Sequence, residues 1–283
     1  MKICLLCLLL TLFISPTFVN AADKQSLAPL TFAGQLLKNI PYGPHAKQRM
    51  DVYLPDHAHK APIIVMVHGG GWTAGDKALR GVADQKAAHW LPRGFIVVSV
   101  NYRLVPAVTP LQQADDVGAA LKAIAKHAPE WGGDLSRIVL MGHSAGGHLV
   151  ALMAANPNPY IARGVPAWRA TIALDAAGID IPLTMQSPHP DFYDSAFGTD
   201  KNFWHAASPQ HQLSANATPI LLICATSSPT MCPTAKKFAA SFSNGIHPEI
   251  LPLNLSHKKI STTLGLPGNY TDSVDRFIAV VLK

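Results

Sequence analysis

From about residue 48 onward the chain alternates short apolar runs with longer stretches in which apolar positions recur every three or four residues. A run such as Ile63-Ile64-Val65-Met66-Val67 has no polar alternation, as expected of a strand covered on both faces. Strands are predicted on this basis at 48–54, 63–68, 95–101, 137–141, 170–174, 220–224 and 249–253, and helices at 79–91, 111–127, 145–155, 234–243 and 271–282. In the second helix Val117, Leu121 and Ile124 share a face, while Asp115 and Asp116 fall in the first turns, where carboxylates complement the helix dipole. These aspartates read as structural. Val274, Phe277, Ile278 and Val281 give the last helix an apolar face suited to docking on the core. Alternating strands and helices predict an α/β fold, a mainly parallel sheet with helices on both faces.

Two stretches break the rhythm. Residues 176–218 form the longest irregular insertion and hold Met185, Phe192, Tyr193, Phe197 and Trp204. Such aromatics either wall a site at the carboxyl edge of the sheet or form a satellite core, and the pattern leaves both readings open. At the amino end, Lys2, the apolar residues 3–14 and Val19-Asn20-Ala21 make a secretory signal the expectation for 1–21. A single domain over 22–283 would follow, in a secreted or periplasmic protein with no stable membrane anchor after cleavage. The apolar run is shorter than a spanning helix needs, and Ser15 and Pro16 interrupt it.

Composition narrows the partners. The net charge of +6 comes from scattered lysines and arginines, with no interleaved aromatic stripe of the kind nucleic acids select. Cys224 and Cys232 are the two cysteines outside the leader, and export would expose them to an oxidising compartment. A disulfide between them is expected, the alternative being two buried thiols. No second Cys or His pair stands near them at zinc-ligand spacing.

The candidate chemistry lies at strand ends. Ile138-Val139-Leu140-Met141 runs into Gly142-His143-Ser144-Ala145-Gly146-Gly147 and then an apolar helix, the form of a nucleophile elbow with Ser144 at its apex. Ile63 to Val67 runs likewise into His68-Gly69-Gly70-Gly71-Trp72. Backbone amides in such a turn can face a developing oxyanion without side-chain obstruction, and Gly70, Gly71 and Ala145 are the expected donors. His68 is expected to hold the loop rather than move protons, and Trp72 to pack or wall a pocket. A serine needs a base to take its proton. His257, in Leu255-Ser256-His257-Lys258-Lys259 after the last predicted strand, stands in the chain order this architecture requires, whereas His143 and His148 are confined to the elbow.

These residues, with Gly75-Asp76-Lys77 and Asn101-Tyr102-Arg103-Leu104, resemble the α/β-hydrolase superfamily, in particular the hormone-sensitive-lipase-like and feruloyl-esterase-like carboxylesterases. The resemblance implies an α/β-hydrolase fold with a short cap-like insertion between its sixth and seventh strands. It also implies a serine hydrolase that cleaves a small-molecule carboxylic ester through an acyl-enzyme, with no cofactor and no metal. The glycine turn is similar to that of kynurenine formamidases as well, so an arylformamidase is the alternative activity.

One feature departs from the family. Its triad acid usually follows the strand that here is 220–224, yet 225–233 contains no carboxylate. Asp175, directly after Thr171-Ile172-Ala173-Leu174, resembles the acid position of pancreatic-type lipases and is the expected substitute. Asp180, Asp191, Asp194 or a Ser–His dyad with water are the alternatives. A degenerate hydrolase kept as a binding protein is the reading from another class.

Overall fold

The computed structural model describes residues 34–243 and 245–283; the expected leader, 1–21, lies outside them. Eight strands, β1 (Gln35–Pro41), β2 (Arg49–Leu54), β3 (Ala61–Val67), β4 (Ile96–Val100), β5 (Gly133–His143), β6 (Ala170–Leu174), β7 (Ile220–Ala225) and β8 (Glu249–Leu253), form one sheet. Their order is β1-β2-β4-β3-β5-β6-β7-β8. β1 pairs antiparallel with β2 and β2 with β4, and all remaining pairs are parallel. The parallel strands therefore end at one carboxyl edge, where the chain leaves each for a loop.

The unbroken apolar runs follow from two-sided burial. In β3, Ile63, Val65 and Val67 pack with Val117, Leu121 and Leu149, while Ile64 and Met66 pack with Ala83, Trp90 and Phe277. The first set belongs to helices α2 (Pro110–Trp131) and α3 (Ala145–Ala155), which cover one face. The second belongs to α1 (Arg80–Trp90) and the carboxy-terminal helix (Asn269–Val281), which cover the other. The expected α/β layering is present. α2 starts at a Thr109–Gln112 capping box with Pro110 in its first turn, and it runs through Pro129 to stop at Gly132, in the left-handed region at φ 69°.

Several expectations need correction. β1 escaped the pattern because it is a largely exposed edge strand, interrupted by a register shift between Leu37 and Ile40 and by Asn39 at φ 59°. The insertion is not irregular. After the single turn α4 (Asn158–Ile161) and β6, it folds into four short helices, α5 (Ile181–Met185), α6 (Phe192–Phe197), α7 (Lys201–Ala206) and α8 (Pro209–Gln212). Its Tyr193, Phe197 and Trp204 join the main core beside Trp72 rather than forming a satellite, and Phe192 stays 38% exposed. After α9 (Met231–Ala240) and β8, the expected loop around His257 is instead the start of a helix, α10 (His257–Thr263), followed by α11, the carboxy-terminal helix. Ser256 caps α10 by accepting from the Lys259 amide at 3.4 Å.

Candidate active site

Ser144 sits between β5 and α3 at φ 55°, ψ −120°, a conformation that non-glycine residues keep only where surrounding structure imposes it. The imposition is visible. The Ser144 amide donates to Leu174 O at 3.0 Å, and its carbonyl accepts from His148 N at 2.9 Å and Ala177 N at 3.2 Å. A side chain at 142 would place its Cβ 2.3 Å from Gly146 O, and one at 146 would lie 2.3 Å from His68 O, so both elbow glycines are dictated by close packing.

The glycine turn after β3 lies directly against this serine: a Cβ at Gly69 would come within 2.9 Å of Ser144 Cβ. Gly70 adopts φ 129° and Gly71 φ 56°, and Gly70 O accepts from Thr73 N and Ala74 N at 3.2 and 3.0 Å. Among the described residues, the amides of Gly70, Gly71 and Ala145 donate to no protein acceptor. His68 is neutral: burial pushes its pKa down to about 4. It stacks on Tyr102 with ring centroids 4.4 Å apart and donates from Nδ1 to Gly69 O at 2.8 Å, the loop-holding part expected of it.

Trp72 is a packing residue, fully buried and surrounded by His148, Tyr193 and Phe197. Its Nε1–H donates to His148 Nδ1 at 3.1 Å, and His148 Nε2–H donates to Ala207 O at 2.7 Å. His148 thus ties the glycine turn to the insertion, and burial holds it neutral with a pKa near 4. The remaining motif residues are scaffold. Asp76 accepts from Asn101 Nδ2 at 2.9 Å, Lys77 pairs with buried Asp51 at 2.9 Å, and Arg103 forms a bidentate pair with buried Asp116. Asp115 pairs with Arg163 on the surface.

His257, the first residue of α10, donates from Nδ1 to Asp175 Oδ2 at 2.6 Å. Asp175 is 1% exposed, sits at φ 46° directly after β6, and accepts the Ala225 amide on Oδ1 at 2.8 Å. Its carboxylate therefore reaches across the end of β7 into the space beside the acid-free stretch. That stretch is closed by a Cys224–Cys232 disulfide, with Cα atoms 5.1 Å apart. Of the other carboxylates, Asp180 caps α5 and pairs with Lys237 at 2.8 Å, Asp194 contacts His189 at 3.2 Å, and Asp191 precedes α6 without a side-chain capping bond.

With Nδ1–H committed to Asp175, the free lone pair of His257 is on Nε2. The structure brings His257 and Asp175 into contact and places Ser144 at the same edge, with no hydrogen bond between Ser144 Oγ and His257. His143, adjacent to the serine, bridges them: its Nε2–H donates to His257 O at 2.9 Å, and the two rings lie 4.5 Å apart. Desolvation, then the neighbouring His257, lowers its pKa to about 4. His143 and His148 thus act as braces, a part that their place in the elbow alone did not reveal. Together these groups can attack a carbonyl, accept the serine proton and bind an oxyanion. Among the described residues no group of three or more His, Cys, Asp or Glu is arranged to hold a metal, and no helix is long and apolar enough to cross a membrane.

A family model described as BD-FAE matches residues 50–237. A probable isoprenylcysteine alpha-carbonyl methylesterase of Oryza sativa subsp. japonica is 33% identical over 121 residues, covering 42% of this chain and 28% of that protein. A probable carboxylic ester hydrolase of Mycobacterium tuberculosis, LipM, is 37% identical over 124 residues, again 42% of this chain and 28% of that one. The matched segment thus spans little more than a quarter of these relatives. A truncated carbohydrate esterase from gut microbiota superposes with a TM-score of 0.73 at 19% identity, covering 91% of this chain and 99% of that one. The fold is that of the α/β-hydrolases.

Proposed function

This chain belongs to the BD-FAE family, and on that premise we propose that it is a serine hydrolase cleaving small carboxylic esters through an acyl-enzyme. The observation that carries the reading is the 2.6 Å contact between Asp175 and His257 at the edge that presents Ser144. Asp175 fixes the tautomer that leaves Nε2 free and stabilises the imidazolium that forms when Nε2 takes the Ser144 proton. Ser144 Oγ attacks the ester carbonyl, and the oxyanion is received by the amides of Gly70, Gly71 and Ala145, which have no other acceptor among the described residues. Collapse of the tetrahedral intermediate breaks the bond to the alcohol oxygen, which His257 protonates. Water, deprotonated by His257, then attacks the acyl-enzyme and releases the carboxylic acid and Ser144.

The acid-free loop was the motive for reading the protein as a degenerate, non-catalytic hydrolase, and a carboxylate on His257 removes that motive. Export belongs to the same proposal. The bonded Cys224–Cys232 pair supports it, because disulfides persist mainly in oxidising compartments, and amino-terminal sequencing of the natural protein should begin at Ala22. The activity is tested by p-nitrophenyl acetate hydrolysis. Turnover by the wild type and its loss in Ser144→Ala are expected; equal turnover by both would overturn the reading.

A further inference from the structure

The helix that carries His257 is clamped to α1 by a buried lysine. Lys86 is completely enclosed, and its Nζ donates to Ser261 O at 2.6 Å and to Gly81 O at 3.3 Å. Ser261 Oγ donates to the same Gly81 carbonyl at 3.1 Å, and Tyr270 donates to Ile260 O at 2.8 Å. The carbonyls of Ile260 and Ser261 lie in the last turn of α10, where backbone acceptors lack partners within the helix and an amine complements the dipole. The helices approach as closely as glycine permits. A Cβ on Gly81 would stand 2.6 Å from Thr262 Cγ2, and one on Gly265 would stand 2.3 Å from Gln85 O.

At its other end α10 is held by His143, which donates to His257 O. Burying an amine is unfavourable, and here it pushes the Lys86 pKa from 10.5 down to about 7. A methionine would fill the volume without that burden. The site thus keeps a strained ionisable group whose shortest hydrogen bond runs to the helix bearing the candidate base, the longer one staying on α1 at Gly81 O.

We propose that Lys86 is a positioning residue: by fixing the separation of α1 and α10 through Ser261 and Gly81, it sets the place of His257 relative to Ser144. The proposal rests on His257 being the base of the hydrolase described above. A displacement near 1 Å can lower turnover by as much as about a hundredfold.

The test combines kinetics on p-nitrophenyl acetate with thermal melts for Lys86→Met, Gly81→Ala, Thr262→Ser and the Gly81→Ala/Thr262→Ser pair. Lys86→Met should lose roughly ten- to a hundredfold in kcat with KM within about twofold, because the substrate contacts are untouched. Gly81→Ala should show the same split. Thr262→Ser, which removes the obstructing methyl, should return the double variant to near the wild-type kcat. A folded Lys86→Met with wild-type kcat overturns the proposal, as does a Gly81→Ala loss that Thr262→Ser leaves unrepaired. Should Lys86→Met fail to fold, the Gly81–Thr262 pair decides. Retained activity in Ser144→Ala would instead remove the hydrolase reading, and this proposal with it.

Discussion

Replacing Asp175 by asparagine keeps the shape of the side chain and reverses what His257 meets. The Ala225 amide, 2.8 Å from Oδ1, decides the orientation of the new group. A donor already stands there, so the asparagine carbonyl must occupy the Oδ1 position and its NH2 the Oδ2 position, 2.6 Å from His257 Nδ1. A donor at that point forces Nδ1 to accept and moves the ring proton to Nε2, the atom that has to take the proton of Ser144. The carboxylate charge beside the forming imidazolium is lost as well. Wrong tautomer and missing charge together lower kcat on the order of 10⁴-fold, or about 5 kcal/mol of barrier. KM should change little, since neither group holds the ground-state substrate. Stability should also hold, because the buried bond to Ala225 survives. Asp175→Ala provides the contrast: it leaves that amide unpaired and should lower stability by about 1–3 kcal/mol. Steady-state kinetics on p-nitrophenyl acetate with urea melts of each variant make the test. A folded Asp175→Asn enzyme within tenfold of the wild-type kcat would refute the assignment.

Three further outcomes follow from the braces around the site. His148→Phe leaves Trp72 Nε1 and Ala207 O buried without partners, so urea unfolding should show a loss of roughly 2–5 kcal/mol; a smaller loss would mean that the pair contributes little. Burial lowers the pKa values of His68 and His148 from 6.5 to about 4. Between those values the unfolded chain takes up protons that the native state refuses, so their contribution is complete above pH 6.5 and is lost as pH falls toward 4. Each is on the order of 3 kcal/mol, and a urea midpoint that does not fall between about pH 7 and pH 5 would contradict it. Removing the Cys224–Cys232 bridge with a double alanine variant should lower stability by roughly 2–3 kcal/mol, the chain-entropy share of so short a loop; an unchanged midpoint would count against that share.

What could be read from the chain depended on how local the cause was. β3 and β4 are legible because both faces of the sheet are covered, which excludes polar residues from the run. The elbow is legible because Gly142 and Gly146 are required by contacts of under 2.5 Å between strand and helix. Asp175 could be singled out as a carboxylate ending a buried strand, but its contact with His257 spans 82 residues and depends on strand order. β1 stayed hidden because a half-exposed, bulged edge strand has no regular period. α10 stayed hidden because seven residues opening on His257-Lys258-Lys259 show no apolar stripe. The braces are the least legible: His148 finds Ala207 across 59 positions and Lys86 finds Ser261 across 175, and no pattern of neighbouring residues encodes either.

The central claim is that Ser144 is an activated nucleophile, and the most direct measurement is intact-mass analysis after exposure to a fluorophosphonate. The account predicts a single adduct on the wild type, mapped to the peptide containing Ser144 and absent from Ser144→Ala. A wild-type protein that remains unlabelled, or an adduct that persists in Ser144→Ala, would contradict it.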